Sequence, residues 1–255
     1  MNILLTNDDG VESEGILCLA KALRSLGEHR IFVLAPDSNR SGVSHGLSIF
    51  NEPIKIWEKS TDTWVCSGLP VDCVIAAVLG DKPCKPDIII SGINRGANIG
   101  SDIIYSGTAA AARQGALMGL PSIALSLDGW TDYNWDMAAE YSAKHLNVFL
   151  NIWKKDIFVN VNIPNKLTGP DGMTVTWPCR KEYQDTILIT QGPDGKECCT
   201  LVPGEQTTGN EAGSDWNAVS KNIVSVSPVY VHPVIFKDFC PDAPEHAAGG
   251  GVYGS

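Results

Sequence analysis

Short apolar runs alternate with segments of helical periodicity through the first 165 residues. Asn2–Thr6, Ile31–Ala35, Asp87–Ser91, Ser122–Ser126 and Phe158–Ile163 read as buried strands, and weaker strand signals lie around Ile54–Trp57 and Trp64–Ser67. Between them, Glu14–Leu26 places Ile16, Leu17, Leu19, Ala20 and Leu23 at helical spacing, with Gly27 as a stop. Pro70–Leu79 predicts a helix with proline near its start, Thr108–Met118 an alanine-rich helix, and Met137–Trp153 one long helix. Apolar strands bridged by helices imply right-handed βαβ units. The expected fold is therefore α/β: a doubly wound, mostly parallel, Rossmann-like sheet with helices on both faces.

Beyond residue 165 the pattern changes. Thr174–Trp177, Thr186–Thr190 and Cys198–Val202 read as hairpin strands, with Pro193-Asp194-Gly195 turning between the last two. Ser214–Lys221 predicts a short helix capped by Ser214, and Ile223–Tyr230 alternates as a strand. The tail from Cys240, with AAGGG at 247–251, reads as flexible. Isolated hairpins bury little, so these are expected to pack on the main domain or on another subunit.

The polar loops carry the candidate chemistry. In a doubly wound sheet, ligands collect beyond the carboxyl ends of the strands. The first strand ends at Thr6 and is followed by Asn7-Asp8-Asp9-Gly10. Adjacent carboxylates at a strand end repel unless a cation or shared proton compensates, so this points to a divalent metal; a strand-to-helix turn with an Asp cap is the alternative. The loop 36–46, PDSNRSGVSHG, brings Asn39, Arg40, Ser41, Gly42 and His45 to the same rim, and the loop 92–107 with Thr108 brings Asn94, Asn98, Ser106 and Gly107. This donor set is hard and oxygen-rich, which suits Mg²⁺ or Mn²⁺ better than zinc or copper.

Arg40-Ser41-Gly42 offers backbone N–H groups, a hydroxyl and a guanidinium to an anion. Ser106-Gly107-Thr108 opens a helix and reads either as an N-cap or as a phosphate site on the helix N-terminus, and both can hold together. His45 is a candidate acid or phosphate donor near neutral pH.

Composition narrows the partners. A net charge of −10 argues against a nucleic-acid duplex, while a bound cation would still admit a small phosphorylated substrate. No apolar stretch approaches the ~20 residues of a membrane span, and the N-terminus lacks leader features, so a soluble, cytoplasmic protein is expected. The eight cysteines form no C-x-x-C pair and read as reduced thiols.

The chain resembles the SurE family, metal-dependent survival-protein phosphatases acting on nucleoside monophosphates. The resemblance lies in ILLTNDDG (3–10), APDSNRSGVSHGLS (35–48), SGLPVDCV (67–74), SGINRGANIGSDIIYSGT (91–108), LPSIALS (120–126), VNVNIP (159–164) and VSVSPVYVHP (224–233), in the family's order. It implies one divalent metal ion per subunit held by Asp8, Asp9, Ser41 and Asn94, with Asn98 and Ser106 to Thr108 around the phosphate.

It also implies hydrolysis of nucleoside 5'-monophosphates, leaving action on 3'-monophosphates open, with Asp8 and Asp9 as the catalytic pair. A non-catalytic nucleotide-binding protein, or a phosphoryl or glycosyl transferase at the same sheet edge, are the competing readings. Residues 1–235 are expected to form one domain, of which about 178–235 holds the hairpin and C-terminal elements of a homodimer or homotetramer, followed by a flexible tail at 240–255. The match is poor over 178–213 and beyond 235.

Overall fold

The computed structural model describes residues 1–167, 172–208 and 211–234. The elements in chain order are β1 (Asn2–Thr6), α1 (Glu14–Leu26), β2 (Arg30–Pro36), β3 (Ile56–Ser60), β4 (Thr63–Cys66), α2 (Pro70–Gly80), β5 (Ile88–Arg95), α3 (Asp102–Tyr105), α4 (Gly107–Leu117) and β6 (Ser122–Asp128). There follow α5 (Trp135–Lys144), α6 (Leu146–Ile152), β7 (Ile157–Pro164), β8 (Met173–Val175), β9 (Lys181–Tyr183), β10 (Thr186–Gln191), β11 (Glu197–Val202), β12 (Gln206–Thr208), α7 (Asp215–Ser220) and β13 (Val224–Tyr230).

Nine strands form one sheet in the order β3-β4-β2-β1-β5-β6-β7-β13-β8. All pairings are parallel except β3 with β4 and β7 with β13. The chain moves outward from β1 to β2 and β4, then returns to lay β5 on the other side of β1. That reversal opens a crevice between the loops after β1 and β5, the place where such sheets bind ligands.

Side chains alternate across each strand, so both faces are apolar. Ile3, Leu5, Val33, Ile90, Leu125 and Val161 pack against α1, α5 and α6 on one face. Leu4, Leu34 and Ile89 meet α2 on the other, while Ala109, Ala112 and Ala116 of α4 meet Ala124 and Phe158. The alanines let α4 lie close to the sheet, which fixes the position of its N-terminus over the crevice. Among the described residues, no helix is long and apolar enough to cross a membrane.

Three expectations are corrected. The single helix expected over Met137–Trp153 is two: α5 ends at Lys144, and His145 leaves the helical region at φ −101°, ψ 9°. The Tyr141 carbonyl there takes both the backbone N–H of His145, at 3.0 Å, and a contact with its ring Nδ1, at 2.9 Å. The segment expected as a hairpin strand at Thr174–Trp177 instead joins the main sheet as β8, parallel to β13. The Thr176 hydroxyl explains this, lying buried 2.7 Å from both Ser225 and Ser227.

Third, β5 runs on past Ser91 to Arg95, and residues 102–105 of the expected loop form α3. Gly92 makes that extension possible: at φ +138°, a Cβ would lie 2.3 Å from the Leu125 carbonyl oxygen. The β10–β11 hairpin, the Ser214 cap and the strand at 224–230 are as expected. The expected flexible tail from Cys240 lies outside the described residues.

Candidate metal centre

The loop after β1 is shaped by Asn7. Its side-chain oxygen accepts from Gly10 N–H at 3.1 Å, and its amide donates to Gly10 O and to Ser13 Oγ at 2.9 and 2.7 Å. This Asx-type turn aims the next two carboxylates in different directions.

Asp8 is 3 % exposed and abuts the N-terminus of α4. Thr108 gives it a hydroxyl at 2.6 Å and a backbone N–H at 2.9 Å. Gly107 permits the approach, since a Cβ there would fall 2.9 Å from Asp8 Cβ. Burial pushes the Asp8 carboxyl above the usual carboxylate range, against the bonds from Thr108. The helix terminus read from sequence as an anion site thus receives the protein's own anion, stabilised by free N–H groups and the helix dipole.

Asp9 takes the backbone N–H of Arg95 at 3.0 Å and the Asn39 amide at 3.5 Å. Burial raises its pKa to about 6, helped by the neighbouring Asp8 charge and opposed by the bond from Arg95. The loop after β2 closes on the pair from above. Arg40 N–H donates to Asp8 O at 2.6 Å, and the Asn39 side-chain oxygen accepts from Ser41 N–H at 2.8 Å.

A cavity of about 250 Å³ lies at the crevice, and its walls include Asp8, Ser41, Gly42, Asn94, Asn98 and Ser106. Asp9 lines an adjoining cavity of about 360 Å³ with Asn39, Glu14 and Trp135, and Arg95 borders both. Asn94 commits its amide nitrogen to Gly96 O at 2.8 Å, which leaves its carbonyl oxygen as the free polar atom. Ser106 lines the cavity while its hydroxyl caps α4 through Ala109 N–H at 3.0 Å.

The remaining sequence candidates stand elsewhere. Gly107 and Thr108 are buried behind Asp8. Arg40 turns its guanidinium to Asp37, at 2.9 Å, and to the Ser67 carbonyl, at 3.4 Å. His45 rests its Nε2 2.9 Å from the Gln114 amide oxygen, and burial lowers its pKa.

Asn98 is fixed by residues that sequence reading passed over. Its backbone N–H donates to Asn162 Oδ1 at 2.8 Å, and its carbonyl accepts from Asn160 and Asn162 at 2.9 and 3.1 Å. Its side chain donates to Ser126 Oγ at 2.9 Å. The available signal was two asparagines at strand period in the otherwise apolar run of β7.

The donor chemistry fits a hard cation. Among the described residues, no three His, Cys, Asp or Glu side chains gather as metal ligands. What gathers instead is a buried carboxylate with a hydroxyl and a carboxamide, beside a second carboxylate. Burial disfavours the charged form of both acids, and a cation would relieve that cost.

Comparison with known proteins agrees with this architecture. The family model described as "Survival protein SurE" matches residues 3–185. The chain is 36% identical over 237 residues to a protein named 5'-nucleotidase SurE from Pelobacter propionicus, covering 91% of this chain and 94% of that one. It is 38% identical over 232 residues to a 5'/3'-nucleotidase SurE from Wigglesworthia glossinidia brevipalpis, covering 90% and 91%. The crystal structure of the SurE protein from Aquifex aeolicus superposes with a TM-score of 0.80 at 36% identity, covering 95% of this chain and 98% of that one.

Proposed function

The chain belongs to the SurE family, and on that premise we propose that it is a 5'-nucleotidase, a metal-dependent phosphomonoesterase releasing phosphate from nucleoside 5'-monophosphates. The observation that carries the reading is the shared cavity of Asp8, Ser41 and Asn94 at the β1/β5 crevice, with Asp9 at its border. These four residues would hold one divalent cation, Mg²⁺ or Mn²⁺. When bound, such an ion supplies Lewis-acid stabilisation of charge on the phosphoryl oxygens.

The chain's own groups do the rest. Asn98, locked by Asn160 and Asn162, and Ser106, locked as a helix cap, present polar atoms at fixed positions in the cavity wall. A loose phosphoryl-transfer transition state needs alignment and charge stabilisation more than a strong base, and rigid donors provide alignment. Gly42 leaves the cavity wall open beside Ser41, with nothing within 4 Å of a would-be Cβ.

The deciding experiment measures free phosphate from a panel of nucleoside 5'- and 3'-monophosphates with Mg²⁺, Mn²⁺ or chelator. Chelator-sensitive release without an added acceptor is expected, and it separates hydrolysis from transfer and from binding alone. Binding of AMP or GMP without turnover under all metals would refute the proposal.

The β10–β11 ribbon supports an assembly of two or four copies. Ile187, Ile189 and Leu201 share one face of it and are each 56–59% exposed, and such a ribbon needs cover to be stable. The seven described cysteines are all free thiols, which suits a reducing compartment, and we place the enzyme in the cytoplasm.

A further inference from the structure

Asp102 lines the same cavity as Asn98 and Ser106. A carboxylate there is out of place beside a phosphate dianion, because like charges repel strongly where water is scarce. The structure pairs it. Lys181, on β9, brings its ammonium 2.6 Å from Asp102 Oδ2, and the two side chains are only 8% and 17% exposed.

The lysine is itself held. Its backbone N–H donates to Ser101 Oγ at 3.3 Å, and its ammonium lies 5.3 Å from the Tyr183 ring centroid and 6.0 Å from that of Trp216. Of the other acids nearby, Asp215 is already satisfied by three backbone N–H groups, from Gly100, Cys179 and Trp216 at 2.7, 2.9 and 2.8 Å, and half-buried Asp128 feels the charge of Lys181 without an ion pair to it. Among the described residues, Asp102 is the acid that Lys181 pairs with.

We propose that Lys181 is a positioning residue whose ammonium neutralises Asp102, so that the cavity beside Ser106 and Asn98 accepts a phosphate dianion. The inference rests on the nucleotidase reading of that cavity. It assigns a role to a residue more than 70 positions beyond the last polar loop of the site, on a strand outside the main sheet. Lys181 acts through Asp102 and is not assigned contact with substrate.

The test is calorimetric titration of inorganic phosphate, with Mn²⁺ present, into the full-length protein and four variants, alongside KM and kcat for AMP and a thermal melt of each. Lys181→Met is expected to weaken phosphate binding by about tenfold or more, the scale of one poorly screened like charge, and to raise KM more than it lowers kcat. Lys181→Arg keeps the charge and is expected to stay near wild type. Lys181→Met with Asp102→Asn removes both charges and is expected to recover most of the loss.

Asp102→Asn alone, available should Lys181→Met fail to fold, is expected to bind phosphate at least as tightly as wild type. Wild-type affinity in Lys181→Met, a double variant no better than the single, or weakened binding in Asp102→Asn would each overturn the proposal. Wild-type protein that binds phosphate but turns over no nucleotide would overturn the nucleotidase reading alone.

Discussion

Thr108 grips Asp8 across 100 residues of sequence with two donors, a hydroxyl at 2.6 Å and a backbone N–H at 2.9 Å. The bond ties the start of α4 to the end of β1 and orients the carboxylate at the crevice. Thr108→Val keeps the shape and the N–H but removes the hydroxyl. A lost bond to a buried charged group is expected to cost about 1–3 kcal/mol, read from urea melts. Mn²⁺ affinity should fall in the same variant, while Thr108→Ser should keep most of both.

Asp8→Asn is nearly isosteric and keeps an acceptor for Thr108, so the fold is expected to survive by circular dichroism. Turnover with saturating Mn²⁺ is expected to fall by more than the ~10–100-fold typical of changes to groups behind a metal ligand. Ser41→Ala should be milder, because it removes one neutral oxygen. Near-wild-type turnover in folded Asp8→Asn would remove Asp8 from the metal centre.

The pair of acids makes a pH prediction for metal-free protein. The folded pKa of Asp9, about 6, lies above the ordinary 3.8, and Asp8 is raised as well. Between those values the folded state holds more protons than the unfolded state, so stability falls as pH rises. The Asp9 contribution is full below about pH 4 and is lost as pH climbs through 6. In chelator, the melting temperature of Asp9→Asn relative to wild type is therefore expected to rise from pH 4 to pH 7. A difference that is flat or falls over that range would count against the burial of this carboxylate.

The exposed ribbon gives a prediction on assembly. Ile187→Asp together with Leu201→Asp places two charges directly opposite each other on its apolar face. Light scattering at micromolar concentration is expected to show dimer or tetramer for wild type and smaller species for the variant. A wild-type monomer would refute the assembly.

Much of this was legible in the chain. Strands buried on both faces read as unbroken apolar runs, and Ile88-Ile89-Ile90 is placed as its pattern predicts. The polar loops stand out because each interrupts such a run at a strand's carboxyl end. Local signals failed where a partner from far away decides. No glycine or proline marks the break at His145, and nothing local tells that Thr176 will meet two serines of β13.

The same holds within the site. Asp8 was visible as chemistry, but its use of the α4 N-terminus depends on Gly107 and on how closely α4 lies against the sheet. Arg40 and His45 have suitable chemistry, and Asp37 and Gln114 each engage one of their nitrogens, while Arg40 Nε and His45 Nδ1 lie buried without a partner. Asn160 and Asn162 take their place in the site only from the backbone of Asn98, which accepts from both.

The crevice draws its oxygen atoms from the ends of β1, β2 and β5, which become neighbours only when the sheet's order reverses around β1. A disordered chain presents those oxygens scattered, so a divalent ion bound as proposed would discriminate in favour of the finished fold. Mass action then links the two, and each tenfold rise in free ion above its dissociation constant adds about 1.4 kcal/mol to the folded state. Where free ion stands far above its dissociation constant, its withdrawal would lower the stability of the fold before the site began to empty.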